Sequence, residues 1–255
     1  MSSCIAVLYM TLLTLGAAPR CPALALVQAG VEPQSALAEA DRLYAGRADL
    51  AQARKAADLW SRAVESDPKD FTSAWKLARA GYWLGKHVPG PEVPSAFERG
   101  MSAARRAIAL APGRPEGHFW LAADMAGLAE TQGLVAGLRY RGAIRDELER
   151  VLAIDPAYLQ GSADRALGRW YFKVPRLFGG SKRKSEAHLR KALAYNPQST
   201  VTWAFLADTL FAMDRDEEAR AALRHVIDAP LDPEWTPEDL EFKAEARARL
   251  DGKKP

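Results

Sequence analysis

Apolar residues along this chain fall at helical spacing, and the pattern recurs with a long period. Pro68, Pro112, Pro156 and Pro197 stand 44, 44 and 41 residues apart, and each closes the same local motif. Five residues before them come Ala63, Ala107, Val151 and Ala192; eight before, Trp60, Ala104, Leu148 and Leu189. Twelve before are Ala56, Gly100, Ile144 and Ser185. Steps of three and four between these positions trace one face of an α-helix. The proline then stops that helix, because it has no N–H to donate and disfavours helical geometry in the residue before it.

A second helical pattern opens after each proline. Leu77-Ala78, Leu121-Ala122 and Leu206-Ala207 begin nine residues on, and Leu167-Gly168 begins eleven on. Trp203-x2-Leu206-Ala207-x2-Leu210 and Leu167-Gly168-x2-Tyr171 follow the W-x2-L-G-x2-Y signature of the first helix of a tetratricopeptide repeat (TPR). The small residue lets the two helices of a hairpin approach, and the large ones fill the space between neighbouring hairpins. The expected fold is therefore all-α, a TPR-like superhelical array of about five helical hairpins with a C-terminal capping helix. It should occupy residues 35–250, with a tail at 251–255.

The unit from Thr200 to Pro233 is the most regular, with helices expected near Val201–Met213 and Asp216–Ile227. Earlier units should be longer because of enlarged loops at Lys86–Ser95 and Val174–Ser181. Gly179 and Gly180 should adopt angles that other residues avoid, with Ser181 capping the next helix. A strongly charged segment near Pro237–Leu250 suits a terminal cap with one solvent face.

The front of the chain is different. Residues 1–25 hold one charged residue, Arg20, and an almost wholly apolar run from Ile5 to Ala18. That length suits a secretory signal better than a membrane span, and Ala23-Leu24-Ala25 is a small-x-small cleavage pattern. No Lys or Arg precedes the run. The expectation is a signal peptide at 1–25, a linker at 26–34, and a periplasmic or secreted mature protein. Cys4 and Cys21 both lie in the leader, so its removal leaves no cysteine and no disulfide. Pro19-Arg20 before Cys21 depart from a lipoprotein signal, so lipid anchoring is not expected. Composition adds little: 48% hydrophobic, 26% charged and a formal charge of +3 describe an ordinary folded chain. That charge gives no reason to invoke nucleic acid or an anionic membrane.

Two features go beyond a generic repeat. One is Val174-Pro175-Arg176-Leu177-Phe178-Gly179-Gly180-Ser181 running into Lys184-Ser185-Glu186-Ala187-His188-Leu189-Arg190-Lys191-Ala192-Leu193; the other is irregular helix pairs behind an export signal. Together they resemble the T-component proteins of tripartite ATP-independent periplasmic (TRAP) transporters, in layout over 35–250 and specifically over about 170–197. The resemblance implies a periplasmic helical protein that partners a solute-binding protein and can form a homo-oligomer. A weaker resemblance, through Gly168-Arg169-Trp170-Tyr171, is to eukaryotic TPR regulators of microtubule dynamics, a role an export signal argues against.

No catalytic constellation is present, and no enzyme, cofactor or metal site is expected. His87, His118, His188 and His225 lie in different units without metal-ligand spacing, so packing or surface roles are expected. Asp214, Asp216, Glu217 and Glu218 sit where a helix start favours negative charge. Gly179-Gly180-Ser181-Lys182 lacks the spacing of a phosphate loop. The candidate site is a stripe on the first helices, turned away from the Leu-small pair toward the concave groove. It comprises Trp75, Arg79 and Tyr82; Phe119, Ala123 and Ala126; Arg165, Arg169 and Phe172; and Ala204, Asp208 and Phe211. Each triplet has i, i+4, i+7 spacing. Aromatic rings with guanidinium groups suit a small acidic or apolar ligand, or an acidic peptide segment, since arginine grips carboxylates bidentately. Trp75, Phe119 and Phe172 could equally pack between hairpins.

The leader makes a direct prediction. N-terminal sequencing of protein from the cell envelope should begin near Leu26; an intact Met1 on cytoplasmic protein would remove the export expectation.

Overall fold

A computed structural model describes residues 33–252. The expected leader, most of the linker and the last three residues lie outside them. Eleven α-helices make up the described chain, and no strand occurs among the described residues. They pair as five hairpins. The first is α1 (Pro33–Ala45) with α2 (Leu50–Ser66), the second α3 (Phe71–His87) with α4 (Val93–Leu110). The third is α5 (Pro115–Gln132) with α6 (Leu134–Ile154), the fourth α7 (Tyr158–Lys173) with α8 (Lys182–Tyr195). The fifth is α9 (Thr200–Phe211) with α10 (Asp216–Asp228), and α11 (Thr236–Leu250) follows as the cap. None of these is long and apolar enough to cross a membrane.

The prolines act as the spacing predicts. Helices α2, α4, α6 and α8 end two residues before Pro68, Pro112, Pro156 and Pro197. The residue between, Asp67, Ala111, Asp155 or Asn196, is extended or nearly so, as a following proline requires. Three of these residues add a device of their own. Asp67, Asp155 and Asn196 each accept, through the side chain, the N–H two residues on, at 2.9 Å. That bond turns the chain into the next helix. The two extra residues after Pro156 are also explained: Leu159, Gln160 and Gly161 form a left-handed turn at φ 43°, 57° and 76°, within the first turn assigned to α7.

The face read from the proline repeats is the core face. Trp60, Ala104, Leu148 and Leu189 are fully buried, as are Ala56 and Ser185, whereas Ala63 in the first hairpin is half-buried. Leu77-Ala78, Leu121-Ala122, Leu167-Gly168 and Leu206-Ala207 are buried too. The enlarged loops account for only part of the longer units. Helices α3 to α6 run 17, 18, 18 and 21 residues, against 12 and 13 for α9 and α10. Between α7 and α8, Gly179 sits at φ 105° and Ser181 Oγ accepts the Lys184 N–H at 3.3 Å, the expected cap.

Close packing leaves a carboxylate stranded. Asp124 on α5 is fully buried, and neither carboxylate oxygen finds a donor. Burial pushes its pKa well above the ordinary carboxyl range, so the group is held toward its neutral form.

Gly168 marks the crossing of α7 and α8. A Cβ there would lie 2.5 Å from Leu189 Cγ and 3.2 Å from the Ser185 carbonyl. Gly168→Leu should therefore destabilise by roughly 1–3 kcal/mol or more through overpacking, read as a lower melting temperature. A variant melting with the parent would displace this crossing.

Candidate functional site

The stripe residues lie on α3, α5, α7 and α9, the first helix of each hairpin after the opening one. What the sequence pattern does not reveal is that α11 meets both α9 and α3. Its second half packs on the last hairpin: Phe242 meets Phe205 edge-on at 6.0 Å, and Ala246 is buried in the same cluster. Arg249 pairs with Asp208 at 2.8 Å and lies over the Phe211 ring at 5.3 Å. The buried Lys243 ammonium donates to the Ile227 carbonyl at 2.6 Å and to that of Ala229, capping α10. Buried Asp239 accepts from the Thr200 hydroxyl and, at 2.8 Å, from the Asp232 N–H.

The first half of α11, with the segment before it, reaches the opposite end of the array. Arg47, in the turn between α1 and α2, has a guanidinium only 3% exposed. Its Nε donates to Glu238 at 3.0 Å, and its Nη2 donates to Glu238 and, at 2.7 Å, to the Glu234 carbonyl. Tyr44, Trp83 and Trp235 present their rings to it at 5.1, 5.2 and 5.8 Å. Arg79 pairs with the Glu234 carboxylate at 3.2 Å and stacks over Tyr44 at 4.3 Å and Trp75 at 5.2 Å. Its Nε is buried without an acceptor. A cavity of about 340 Å³ remains here, lined by Tyr44, Arg47, Trp75, Lys76, Arg79 and Glu234 among others.

Each expected site residue now has a place. Arg79 and Trp75 form the wall of that cavity, while Tyr82 packs inward against Phe97 and Trp120. Phe119 is a correction: it is 8% exposed, wedged against Trp120 and Tyr158 at 5.0 and 5.7 Å, and serves packing between α5 and α7. Arg169 pairs with Asp208 at 2.6 Å and lies over Phe172 and Phe205 at 5.5 and 4.5 Å. Arg165 and Arg169 lie one helical turn apart, where like charges repel, and Asp208 offsets that cost for Arg169. For Arg165 it is not offset. No carboxylate among the described residues pairs with half-buried Arg165, and desolvation lowers its pKa to about 10, against a small opposing effect of Tyr82. Tyr82 feels the charges of both Glu238 and Arg165, so these groups lie in the same part of the fold.

The histidines are structural partners. His118 bridges the Glu147 carboxylate at 2.6 Å and the Pro112 carbonyl at 3.0 Å; His188 meets Asp164 at 2.6 Å; His225 stacks on Trp203. His87 stacks on Trp83, with Nδ1 2.7 Å from the Trp83 carbonyl and Nε2 2.9 Å from Glu241 of α11. Among the described residues no group of three or more acidic, His or Cys side chains is placed to hold a metal.

Hairpins stacked in this order, with buried Leu-small pairs, define a TPR protein, and solved structures agree. The chain is similar to TTC0263, a thermophilic TPR protein of Thermus thermophilus, with a TM-score of 0.66 and 22% identity. That match covers 86% of this chain and 99% of the other. A MamA crystal structure matches at 0.50 and 15%, covering 85% of this chain and 96% of that one. No curated protein matches. Residues 36–254 match the family described as Regulator of microtubule dynamics protein 1-3, and the chain belongs to it. The family is therefore that of the weaker sequence resemblance, and the TRAP T-component resemblance gains no support from these matches.

His87 links the fit of α11 to pH. Burial disfavours its charge, but the Glu241 carboxylate and the Trp83 carbonyl outweigh burial, and its pKa is raised. With Nδ1 donating to the carbonyl, Nε2 donates to Glu241 only in the charged ring. A raised folded pKa gives stability that is complete below about pH 6.5 and is lost as pH rises through the folded value. Glu241 is largely exposed, so the effect should be small, roughly 0.2–1 kcal/mol. The melting-temperature gap between parent and His87→Gln should be wider at pH 6 than at pH 9; equal gaps would detach His87 from the pH response.

Proposed function

We propose that this chain is an exported TPR adaptor that holds a partner protein through its concave side and receives an acidic group from it at Arg165. The TPR fold supports protein–protein interaction in general. The observation that supports this form of it is Arg165, a desolvated cation without an anion among the described residues. Leaving a charge unpaired and partly buried is costly, and a carboxylate from outside would offset that cost. Because Arg165 is half-buried, the group that reaches it is one acidic side chain or a small acid, not a helix laid along the groove. The reading is of binding rather than catalysis. Export rests on the apolar leader with Ala23-Leu24-Ala25. A solute-binding protein of TRAP type is the specific partner suggested by the 170–197 resemblance. A general envelope scaffold holding peptide segments is the alternative.

A second reading comes from the family's description, which names microtubule dynamics. Tubulin's acidic tails are the kind of segment that Arg165 suits, so co-sedimentation with microtubules belongs beside any envelope assay.

Pull-down with the mature protein, read by mass spectrometry, should recover one dominant partner. Arg165→Ala should weaken that partner's binding at least about tenfold at unchanged melting temperature. Arg169→Ala should act the other way round. It breaks the Asp208 pair and should cost roughly 0.5–1.5 kcal/mol of stability, with a smaller effect on binding. Parental affinity in Arg165→Ala would end the acid-at-Arg165 reading.

A further inference from the structure

The cavity at the first two hairpins has an occupant that reveals what it accepts. Glu234 and Trp235 come from the segment between α10 and α11, yet their partners are on the far hairpins. Glu234 offers its carboxylate to Arg79 and its carbonyl to Arg47; Trp235 packs against the N-terminal core cluster and under the Arg47 guanidinium. An acid followed directly by an aromatic ring is seated between two arginines and a wall of Tyr44, Trp75 and Trp83.

The seat is only partly filled. Glu234 is 57% exposed and touches Arg79 through one nitrogen, at 3.2 Å, while Arg79 Nε stays without an acceptor and the remaining cavity is about 340 Å³. Three cations, Arg47, Lys76 and Arg79, line it against two acids, Asp41 and Glu234, and Asp41 is taken by Lys76 at 2.6 Å. Glu238, the tightest partner of Arg47, is not comfortable either: burial lifts its pKa above the ordinary value against the pull of Arg47. A buried ion pair whose desolvation outweighs its attraction is a weak clasp. By contrast, the second half of α11 is fixed by apolar burial and by the satisfied bonds of Lys243, and Asp239 near its start is held by the Thr200 hydroxyl and the Asp232 N–H. The side chains of Glu234 and Trp235, ahead of the helix, take no part in these bonds and are the ones free to give way.

We propose that the pocket of Tyr44, Arg47, Trp75 and Arg79 is a docking site for a partner's acidic-aromatic segment, a carboxylate side chain immediately before an aromatic one, and that Glu234-Trp235 is its resting, internal occupant. An incoming segment competes with Glu234-Trp235, so the chain sets its own affinity threshold. This site is distinct from Arg165, and the two readings stand or fall separately.

The test uses the full chain and a fluorescently labelled free peptide copying residues 229–237. The parent should bind it weakly, because the internal copy is always present. The double variant Glu234→Gln/Trp235→Ala should bind at least about tenfold more tightly, and adding Arg79→Ala should abolish the gain. If the double variant loses helicity, Glu234→Gln alone should show the same order with a smaller gain. Equal affinity of parent and opened variant would overturn the proposal. So would equal binding of a peptide with the Glu and Trp separated, which would leave only general attraction between charges. Arg165→Ala should leave peptide binding unchanged; a loss there would merge the two sites and overturn their independence.

Discussion

Stacked hairpins bury one another, but the first and last of a row each keep an apolar side without a neighbour. In this chain one helix answers for both ends. α11 covers α9 and α10 as a cap, and its leading edge carries Trp235 and three acids back to the opening hairpins. Arg47 is central to this arrangement. Its guanidinium is nearly inaccessible, ringed by three aromatic faces, and its side-chain acceptor Glu238 comes from a residue nearly two hundred positions away. The groove geometry, and therefore every proposal about binding, depends on where that contact places α11.

Arginine is used in three ways in this fold. Arg47 is fully paired and holds two ends together; Arg169 is paired across neighbouring hairpins to Asp208. Arg165 has no such partner, and Arg79 is half-served by an exposed acid. The difference lies in the neighbours, not in the residue type. A charge in a low-dielectric setting is informative when its partner is missing, because the chain gains nothing from holding it there. This contrast separates structural arginines from candidate binding ones on a stripe where the spacing is the same.

Much of the fold could be read from the chain because it is local. Proline stops, Leu-small pairs and the face through Trp60, Ala104, Leu148 and Leu189 all follow from periodicity, and each is buried as expected. The Asp-Pro and Asn-Pro turns were equally readable, since a side-chain acceptor two residues before an N–H is a short-range feature. The site was readable only as a stripe. Nothing at i, i+4, i+7 spacing tells that Phe119 is wedged against Tyr158, or that Arg169 has Asp208 beside it while Arg165 has no paired acid among the described residues. Least visible was the reach of α11. Its charged pattern reads as a solvent face, yet Glu238 and Glu241 are spent on Arg47 and His87.

A row of hairpins that touch only their neighbours can assemble from any point and fray from either end. The contact between Arg47 and Glu238 removes that freedom. It closes a loop of almost the whole described chain, whose entropy cost must be met before the contact gives anything back, although the cost grows only slowly with loop length. Non-local pairings of this kind slow folding relative to a purely local bundle. On a ribosome, α1 to α3 would emerge complete but unclosed and would wait for the final helix before their exposed side was covered. While shut, the loop couples the two ends of the array, so opening the first hairpin also breaks the contacts that Glu234 and Glu238 make with Arg79 and Arg47.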